Sequence, residues 1–489
     1  MRAGQIPTDM KMLIFLVGAG LVALIIWTIL ARRRTSDWGF RDLLKSPGLE
    51  IDWESERETF ERNLLEAQSW TESELRKEVH HYVFEAPTQR DGWDEYKLLG
   101  ELGDRVHPLL LEILRDTSLH QKLVKVTGKN LVEEAPINRI CNLLETRPPE
   151  ECIPALAPFA TGTSNHVRNA VLGRIAETGS EQSLPFVQIA FSDEDEYIRS
   201  YTISGLKEAL TAGRLAPAAA AKVFELGAAL YAKGDADDRD VAELLVVLHP
   251  AKASEHLCSP NLFKPEFRLL HTGLKALRTH GLKPDRNQLL ALLHSLETEE
   301  LSYPNDYALG EVFRLIGLFA DPSDASIMER YLSSANAQVS EGAADGLIAL
   351  HGQEQFRERL SSRIESNGLA SLTTPQLHCH ALFMYDAEVN NGGHSQYFFN
   401  TSGMHWREAL AGLEAIGARE RHALLAEALS QFGKEFPAVD RTQRKNQLAK
   451  IIRRNEDAFD EIDERYFASK ERLEVLTAKY VINNADDFQ

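Results

Sequence analysis

The sequence contains little cysteine. Only four cysteines occur among 489 residues, and no two of them form a Cys-x-x-Cys pair. A disulfide framework and a cysteine-rich zinc site are therefore disfavoured, and a reducing compartment fits this composition. Period-two alternation of apolar and polar residues is also scarce, which leaves little room for a β-sheet. The expected fold class is all-α.

Sequence motifs of catalysis are missing as well. The chain has no phosphate-binding P-loop, no GxSxG nucleophile elbow, no HExxH zinc helix and no GxGxxG after a strand. His378, Cys379 and His380 are adjacent, but neighbouring residues of a helix point in different directions, so they are poorly placed to share a metal. We therefore predict no catalytic residue, no metal site and no cofactor.

Positive charge is in short supply. The chain carries 54 Lys and Arg residues against 73 Asp and Glu residues, a net charge of −19. Because an acidic body repels phosphate backbones, no direct binding of nucleic acid is expected. The first 34 residues are the exception, with five basic side chains and one acidic side chain.

One long hydrophobic run is present near the start of the chain. Residues 12–30 contain no charged side chain over 19 positions, which at about 1.5 Å per residue nearly spans a hydrocarbon core of about 30 Å. We therefore predict a tail at 1–11, a transmembrane helix at 12–31 and a basic flank and linker at 32–50. The helix would tether the chain to the lipid bilayer. A cleaved secretory signal is the alternative, but its apolar region is usually shorter.

Three arginines, Arg32, Arg33 and Arg34, follow this run directly. Because positively charged flanks stay on the cytoplasmic side, this membrane flank predicts a single-pass protein whose large C-terminal body is cytoplasmic. A bacterial inner membrane is the expected location, where the arginines would also contact anionic headgroups.

Helical patterning begins after the linker and continues through most of the chain. Residues 51–92 predict a helical segment, in which Thr71 and Glu74 have the spacing of a capping box. From 93 to 368, one helical segment follows another between short turns of Gly, Pro, Asp and Ser.

An internal period of 31 residues runs through this second region. It aligns residues 166–175 with 197–206, each with an arginine at its third position, and residues 308–316 with 339–347. Repeated two-helix units of this length are typical of an α-solenoid, in which each unit buries its apolar face on its neighbours. These segments resemble HEAT repeats of the short type first noted in phycobilin lyases. The resemblance implies a curved scaffold for partner proteins, and an irregular helical bundle is the alternative.

A separate helical domain is predicted from 369 to 489. Thr374 and Pro375 favour a helix start, and glycines end the helices that follow it. The expected helices are 374–389, 405–416, 420–432 and, with one break at most, 440–481. The basic run from Arg441 to Arg454 and the acidic run from Glu456 to Glu464 are interpreted as solvated helix faces.

The most unusual string of this domain follows its first helix. Asparagine and glycine favour turns and left-handed backbone, and the aromatic residues after them are best buried. The candidate functional or structural motif comprises Glu388, Asn390, Asn391, Gly392, Gly393, His394, Gln396, Tyr397, Phe398, Phe399 and Asn400. In one interpretation its polar members converge on a ligand pocket. In the favoured one, the glycines form a tight turn and Gln396 holds loop backbone.

This string, Asn-Asn-Gly-Gly followed by Gln-Tyr-Phe-Phe-Asn, resembles the C-terminal domain family named after a bacterial DNA-mimic protein. The resemblance covers about residues 372–482 and implies an all-α domain. The namesake is an acidic protein that binds a transcription factor in place of DNA and lacks enzymatic activity. From Leu372 onward this chain has 18 acidic and 14 basic side chains, so what carries over is the fold and a role in protein contact rather than mimicry.

The expected function is that of a membrane-anchored, non-enzymatic scaffold that binds one or more unidentified proteins. Its solenoid would present a partner surface, and the C-terminal domain would bind a second protein or cover the end of the solenoid. The alternatives are a ligand-binding or enzymatic site at the turn of residues 390–400, and a DNA mimic that binds a transcription factor.

Overall fold

The computed structural model describes residues 53–86, 93–127, 134–144, 148–235 and 240–488. In these ranges the chain forms helices and turns, and β-structure is limited to one isolated antiparallel bridge between Thr127 and Glu134. The all-α prediction is therefore confirmed for this part of the chain. Internal contacts divide it into two units, residues 53–319 and 320–488.

The helices of the first unit follow one another with short connections, as the turn residues between them predict. In chain order they are α1 (Trp53–Gln68), α2 (Glu72–Phe84), α3 (Trp93–Glu101), α4 (Gly103–Arg115), α5 (His120–Leu123), α6 (Pro136–Leu143), α7 (Pro149–Leu156), α8 (Asn165–Glu177), α9 (Leu184–Phe191), α10 (Glu196–Thr211), α11 (Pro217–Lys233), α12 (Val241–Leu248), α13 (Pro250–Leu257), α14 (Leu270–Thr279), α15 (Arg286–Leu296) and α16 (Asn305–Gly317).

Local chemistry accounts for several of these helix boundaries. Thr71 and Glu74 form the predicted capping box at the start of α2. The Asp195 side chain accepts the Tyr197 N–H at the start of α10, and Gly234 ends α11 in the left-handed conformation.

Alternate helices of the first unit form a continuous row. Helices α6, α8, α10, α12, α14 and α16 each pack against the next member of this row. The intervening helices α7, α9, α11, α13 and α15 pack on the row as a second layer. This two-layer arrangement is consistent with the predicted α-solenoid, because each helix pair buries its apolar face on its neighbours. The assignment to HEAT repeats stays a prediction.

The 31-residue period has a physical counterpart at Asp193. Its carboxylate pairs with Arg168 of α8 at 2.9 Å, and its main-chain oxygen accepts Arg199 Nη1 of α10 at 2.7 Å. Burial alone would raise the pKa of Asp193, but the Arg168 guanidinium and the Asp195 N–H hold it below its usual value. One residue therefore binds the equivalent arginines of two successive units.

Small residues allow α8 and α10 to approach closely. A Cβ atom on Gly205 would lie 2.3 Å from the carbonyl oxygen of Gly173. Val167 and Ile198, which the period aligns, are both fully buried on these two packed helices.

The second unit contains α17 (Ala325–Glu329), α18 (Ala337–Leu350), α19 (Phe356–Asn367), α20 (Thr374–Phe399), α21 (Trp406–Ile416), α22 (Arg419–Ser430), α23 (Arg441–Arg454), α24 (Asp460–Ala468) and α25 (Leu473–Asn483). Helix α20 is central and packs on α21, α23 and α24, while α18 packs on α25. The predicted glycine stop after α21 is confirmed by the left-handed conformation of Gly417.

The last helical region differs from its prediction. Residues 440–481 are broken twice, after Arg454 and after Ala468, rather than once at most. Asn455 and Ser469, which follow these two helices, both have extended backbone. Between the two breaks, α24 packs on α20 and α22.

The membrane prediction needs correction. Among the described residues, no helix is both long enough and apolar enough to cross a bilayer. The longest, α20, has 26 residues but includes Asp386, Glu388 and a kink, and charged side chains are costly in hydrocarbon. The single-pass architecture and the membrane location are therefore wrong for this part of the chain. Residues 12–31, predicted as the span, and the flank at 32–34 lie outside the described residues.

Candidate functional site

The motif that the sequence singles out forms a kink inside α20. Gly392 (φ −165°, ψ 27°) and Gly393 (φ 77°, ψ −178°) leave helical geometry, so α20 has an arm before the kink and an arm after it. The predicted interruption at the glycine pair is confirmed, but the predicted helix end at 389 is wrong, because the helix resumes after the glycines and continues to Phe399. Asn390 and Asn391 are exposed, and the Asn390 amide donates to the Asp386 carbonyl at 2.8 Å.

Close contacts leave little room for a side chain at either glycine. A Cβ atom on Gly393 would lie 2.2 Å from Asp463 Oδ2, and one on Gly392 would lie 2.2 Å from Gln396 Oε1. Gly393 also has a positive φ that other residues rarely adopt. The side chains of Asp463 and Gln396 occupy the space that a side chain at position 393 or 392 would need.

Glu388 is the centre of a first polar cluster. Its Oε2 accepts the side-chain amides of Gln396 at 2.9 Å and Asn400 at 2.8 Å, and its Oε1 accepts the Ser402 hydroxyl at 2.8 Å. Three neutral donors therefore replace much of the hydration that the half-buried carboxylate loses. The cluster connects the two arms of α20 to the turn that follows.

His394 is the centre of a second polar cluster. Its side chain is 0% exposed. The main-chain N–H of His394 donates to Asp463 Oδ1 at 2.9 Å, and Nδ1 lies 2.6 Å from the same oxygen. The other ring nitrogen, Nε2, lies 2.9 Å from the Tyr385 hydroxyl. The cluster therefore joins both arms of α20 to α24.

A third group of side chains adjoins the His394 cluster. The Tyr466 hydroxyl donates to Asp386 Oδ1 at 2.5 Å. The Arg421 guanidinium lies 3.7 Å from the centre of the Tyr466 ring and 3.9 Å from Asp386. Burial raises the pKa of Tyr385 and of Tyr466 well above the ordinary value, so both phenols stay protonated.

The aromatic residues of the motif divide between core and surface. Tyr397 and Phe398 are fully buried in the core of the second unit, as predicted. Phe399 is half-buried, and the cationic groups of Arg441 and Lys445 lie 5.7 and 4.6 Å from its ring centre.

The predicted polar residues do not converge on one pocket. Glu388, Gln396 and Asn400 meet, but His394 belongs to the cluster with Asp463, and the two asparagines before the glycines face solvent. A His–Asp pair can act as a general base when its second nitrogen reaches a substrate. Here Tyr385 occupies that nitrogen and no part of the ring is exposed, so the geometry favours structural support.

His378 and His380, near the start of α20, also point to different partners. His378 Nδ1 lies 3.0 Å from the Tyr480 hydroxyl, whereas the His380 ring faces His405 at 5.8 Å. Burial lowers the pKa of His378, His380 and His405. Among the described residues, no group of three His, Cys, Asp or Glu side chains is arranged to hold a metal ion.

Two residues of the predicted solvated runs bind groups inside the fold. Asp463, from the acidic run, binds His394, and Arg444, from the basic run, is 0% exposed. The interpretation as solvated helix faces is wrong for both residues, because each forms hydrogen bonds with buried polar groups of segments that are distant in sequence. The remaining side chains that sequence reasoning missed are Tyr385, Asp386, Ser402, Arg421 and Tyr466.

Arg444 donates hydrogen bonds to main-chain carbonyls of two separate segments. Its Nε donates to the Phe398 carbonyl at 2.8 Å and its Nη2 to the Asn400 carbonyl at 2.7 Å. Its Nη1 donates to the carbonyls of Ala438 and Val439 at 2.7 and 2.8 Å. Burial lowers the pKa of Arg444, and four carbonyl dipoles take the place of water around the cation.

Comparison with known proteins gives a family match in the second unit. Residues 370–484 match the family model described as DMP19-like protein, which supports the resemblance of the C-terminal domain. No curated protein and no solved structure matches the chain. The match includes the kink of α20, the Glu388 and His394 clusters and Arg444, so the C-terminal helical region is similar to this family.

Proposed function

We propose that the protein is a non-enzymatic scaffold that binds other proteins through helix surfaces of its first unit. The observation that carries this proposal is a pair of exposed tyrosines on α10. Tyr197 is 62% exposed and Tyr201 is 56% exposed. They are four residues apart, so they lie on one face of the helix.

Acidic side chains flank this tyrosine face. Glu208 is exposed further along the same face of α10, and Glu194 is exposed in the turn that precedes the helix. A surface cleft of about 560 Å³ lies beside the start of α10. It is lined by Arg168, Ser192, Asp193, Glu194 and Asp195.

The chemistry of this face favours a basic partner segment. Tyrosine offers a large apolar surface and an aromatic ring that attracts cations, and it is enriched at protein interfaces. The flanking carboxylates and the net charge of −19 attract a cationic segment and repel an anionic one. We therefore assign a lysine-rich or arginine-rich protein segment to this face.

The closed polar clusters of α20 support a scaffold over a ligand-binding or enzymatic site. The Glu388 carboxylate and both ring nitrogens of His394 are engaged within the protein. A ligand would have to replace these contacts, and unpaired buried groups are costly. Mimicry of DNA has less support, because Arg444 and Asp463 are used internally and the C-terminal charges are mixed.

A photo-crosslinking amino acid in place of Tyr201 tests the proposal. The partner identified by mass spectrometry is then purified and titrated against the full chain. The Tyr197→Ala/Tyr201→Ala variant should weaken binding at least about tenfold, equivalent to about 1.4 kcal/mol. Glu194→Gln/Glu208→Gln should weaken it mainly at low salt.

Matched controls lie on the second helix layer. Gln188 of α9 and Glu181 before it are exposed, so Gln188→Ala and Glu181→Gln should leave the affinity unchanged. Equal affinity for the tyrosine variant and these controls would contradict the proposal. Thermal stabilisation by a small metabolite that is lost in His394→Ala would favour the ligand site instead, and displacement of the partner by duplex DNA would favour mimicry.

A further inference from the structure

The connection between α22 and α23 contains a strained residue with an exposed side chain. Phe436 has φ +52° and ψ 165°, a left-handed backbone value that is unfavourable for a bulky residue. Its side chain is nevertheless 47% exposed. Core burial therefore does not account for the presence of phenylalanine at this position.

Three side chains hold this connection rigidly. Gln447 binds it twice, since its Nε2 donates to the Phe436 carbonyl at 2.9 Å and its Oε1 accepts the Ala438 N–H at 2.8 Å. The Trp406 indole N–H donates to the Pro437 carbonyl at 3.0 Å. Arg444 binds the next two carbonyls, at 2.7 and 2.8 Å. Four successive carbonyls, from 436 to 439, are thus occupied.

The rigid connection presents apolar side chains outward. The Phe436 ring stacks on Trp406 with a centroid distance of 5.3 Å and an interplanar angle of 11°. Val439 is 52% exposed and Met404, on the turn before α21, is 38% exposed. A preorganised apolar surface binds with a smaller loss of conformational entropy than a flexible one.

Cationic side chains lie in the segments that form this surface. Arg407 lies 4.2 Å from the Trp406 ring centre, and Lys434 and Arg441 are exposed beside it in sequence. Lys445 lies one turn further along α23 and contacts Phe399 at 4.6 Å.

Three acidic side chains lie in the same segments. Asp440 accepts the Gln443 N–H at the start of α23 at 2.8 Å, and Glu408 lies 4.0 Å from His405. Glu435 is exposed. With these carboxylates and the four cations named above, the local balance is positive, which is unusual in a chain of net charge −19.

We propose that this surface, defined by Met404, Phe436 and Val439 with the cations Arg407, Lys434, Arg441 and Lys445, binds an acidic segment of a partner protein. An aromatic or aliphatic side chain of that segment packs on Phe436 and Val439, and its carboxylates pair with these cations. The surface is independent of the tyrosine face on α10, for which an opposite partner charge is expected.

Selection of short random peptides on the immobilised full-length chain tests this proposal. Enriched peptides should combine Asp or Glu with Phe, Trp, Leu or Ile. Enrichment of basic peptides alone, or no enrichment, would overturn it. The best peptide is then labelled and its affinity measured by fluorescence anisotropy.

Phe436→Gly is the decisive variant, because glycine adopts a positive φ without strain and the fold should be preserved. It should weaken peptide binding at least about tenfold. Phe467→Ala is the matched control, since Phe467 is 56% exposed elsewhere in the same unit, on α24, and it should bind as the parent chain does. Equal effects of the two variants would refute the proposal.

Charge variants complete the test. Arg407→Gln/Lys445→Gln should weaken binding and reduce its dependence on salt, because fewer charge pairs that salt can screen form between the surface and the peptide. Weaker binding caused by Tyr197→Ala/Tyr201→Ala would place the peptide on α10 and overturn the assignment. A single-stranded oligonucleotide that competes as well as the peptide would identify a nucleic-acid surface and likewise overturn it.

Discussion

One carboxylate oxygen of Asp463 accepts two hydrogen bonds from His394. The main-chain N lies 2.9 Å from it, and the ring Nδ1 lies 2.6 Å from it. Because a carboxylate only accepts, Nδ1 carries the ring proton, and Nε2 therefore accepts the hydroxyl proton of Tyr385 when the ring is neutral. This chain of contacts fixes the tautomer of a fully buried imidazole and connects the kink of α20 to α24.

Replacement of Asp463 tests this connection directly. Asp463→Ala leaves the main-chain N–H and the ring N–H of His394 buried without a partner, so the free energy of unfolding should fall by about 2–4 kcal/mol. Glu464→Ala is the control, because Glu464 is the exposed next residue and its loss should cost less than about 0.5 kcal/mol. Urea denaturation followed by circular dichroism measures both, and equal losses would contradict the structural role.

The glycine of the kink can be compared with a glycine in open space. Gly393→Ala places a Cβ atom 2.2 Å from Asp463 Oδ2 at a φ of +77°, so both backbone strain and a clash arise. Gly417→Ala has a similar φ of +82° but meets nothing within 4 Å.

We expect Gly417→Ala to reduce the free energy of unfolding by about 1–2 kcal/mol and Gly393→Ala by at least about 1 kcal/mol more. Thermal unfolding by calorimetry gives the comparison. A smaller effect at position 393 than at 417 would show that the Asp463 carboxylate can move away at little cost.

Arg444 should be much more important for stability than its neighbours on α23. Arg444→Met leaves four carbonyl oxygens without their donor, and the expected loss is about 3–5 kcal/mol. Arg453→Met changes an exposed residue of the same helix and should have little effect. Hydrogen exchange should also show faster opening of residues 436–440 in the first variant only.

Alkaline pH should destabilise the second unit. Burial raises the pKa of Tyr385, Tyr397 and Tyr466 above the ordinary value. The unfolded chain releases these protons near pH 10, whereas the folded chain retains them. Stability is therefore unaffected below about pH 10 and falls above it by about 1.4 kcal/mol per pH unit for each tyrosine.

Tyr397→Phe tests the contribution of tyrosine ionisation to alkaline unfolding without removing a hydrogen bond. The Tyr397 hydroxyl is buried and has no hydrogen-bond partner among the described residues, so the variant should be as stable as the parent chain at neutral pH. Above about pH 10 its stability should decline less steeply, by the share of one tyrosine. Urea denaturation across pH, with tyrosinate absorbance as the titration probe, measures both slopes.

Local residue chemistry predicted much of the helical framework. Thr71 with Glu74 marked the start of α2, Gly417 marked the end of α21, and the glycine pair marked the interruption of α20. These signals depend on the conformations that a few neighbouring residues prefer, so they can be identified in a single sequence. The number of breaks after residue 440 was underestimated, because the helical signal there was nearly continuous.

The composition and spacing of the chain were sufficient to predict that its described part is built from helices, with a 31-residue period and an interruption at the glycine pair. Which polar side chains lie inside depended on the packing of distant segments. Asp463 is 69 residues from His394, and Arg444 is 44 residues from Asn400. A charged residue in a basic or acidic run looks the same whether it faces water or buried carbonyls, because the compensating partners come from elsewhere in the fold.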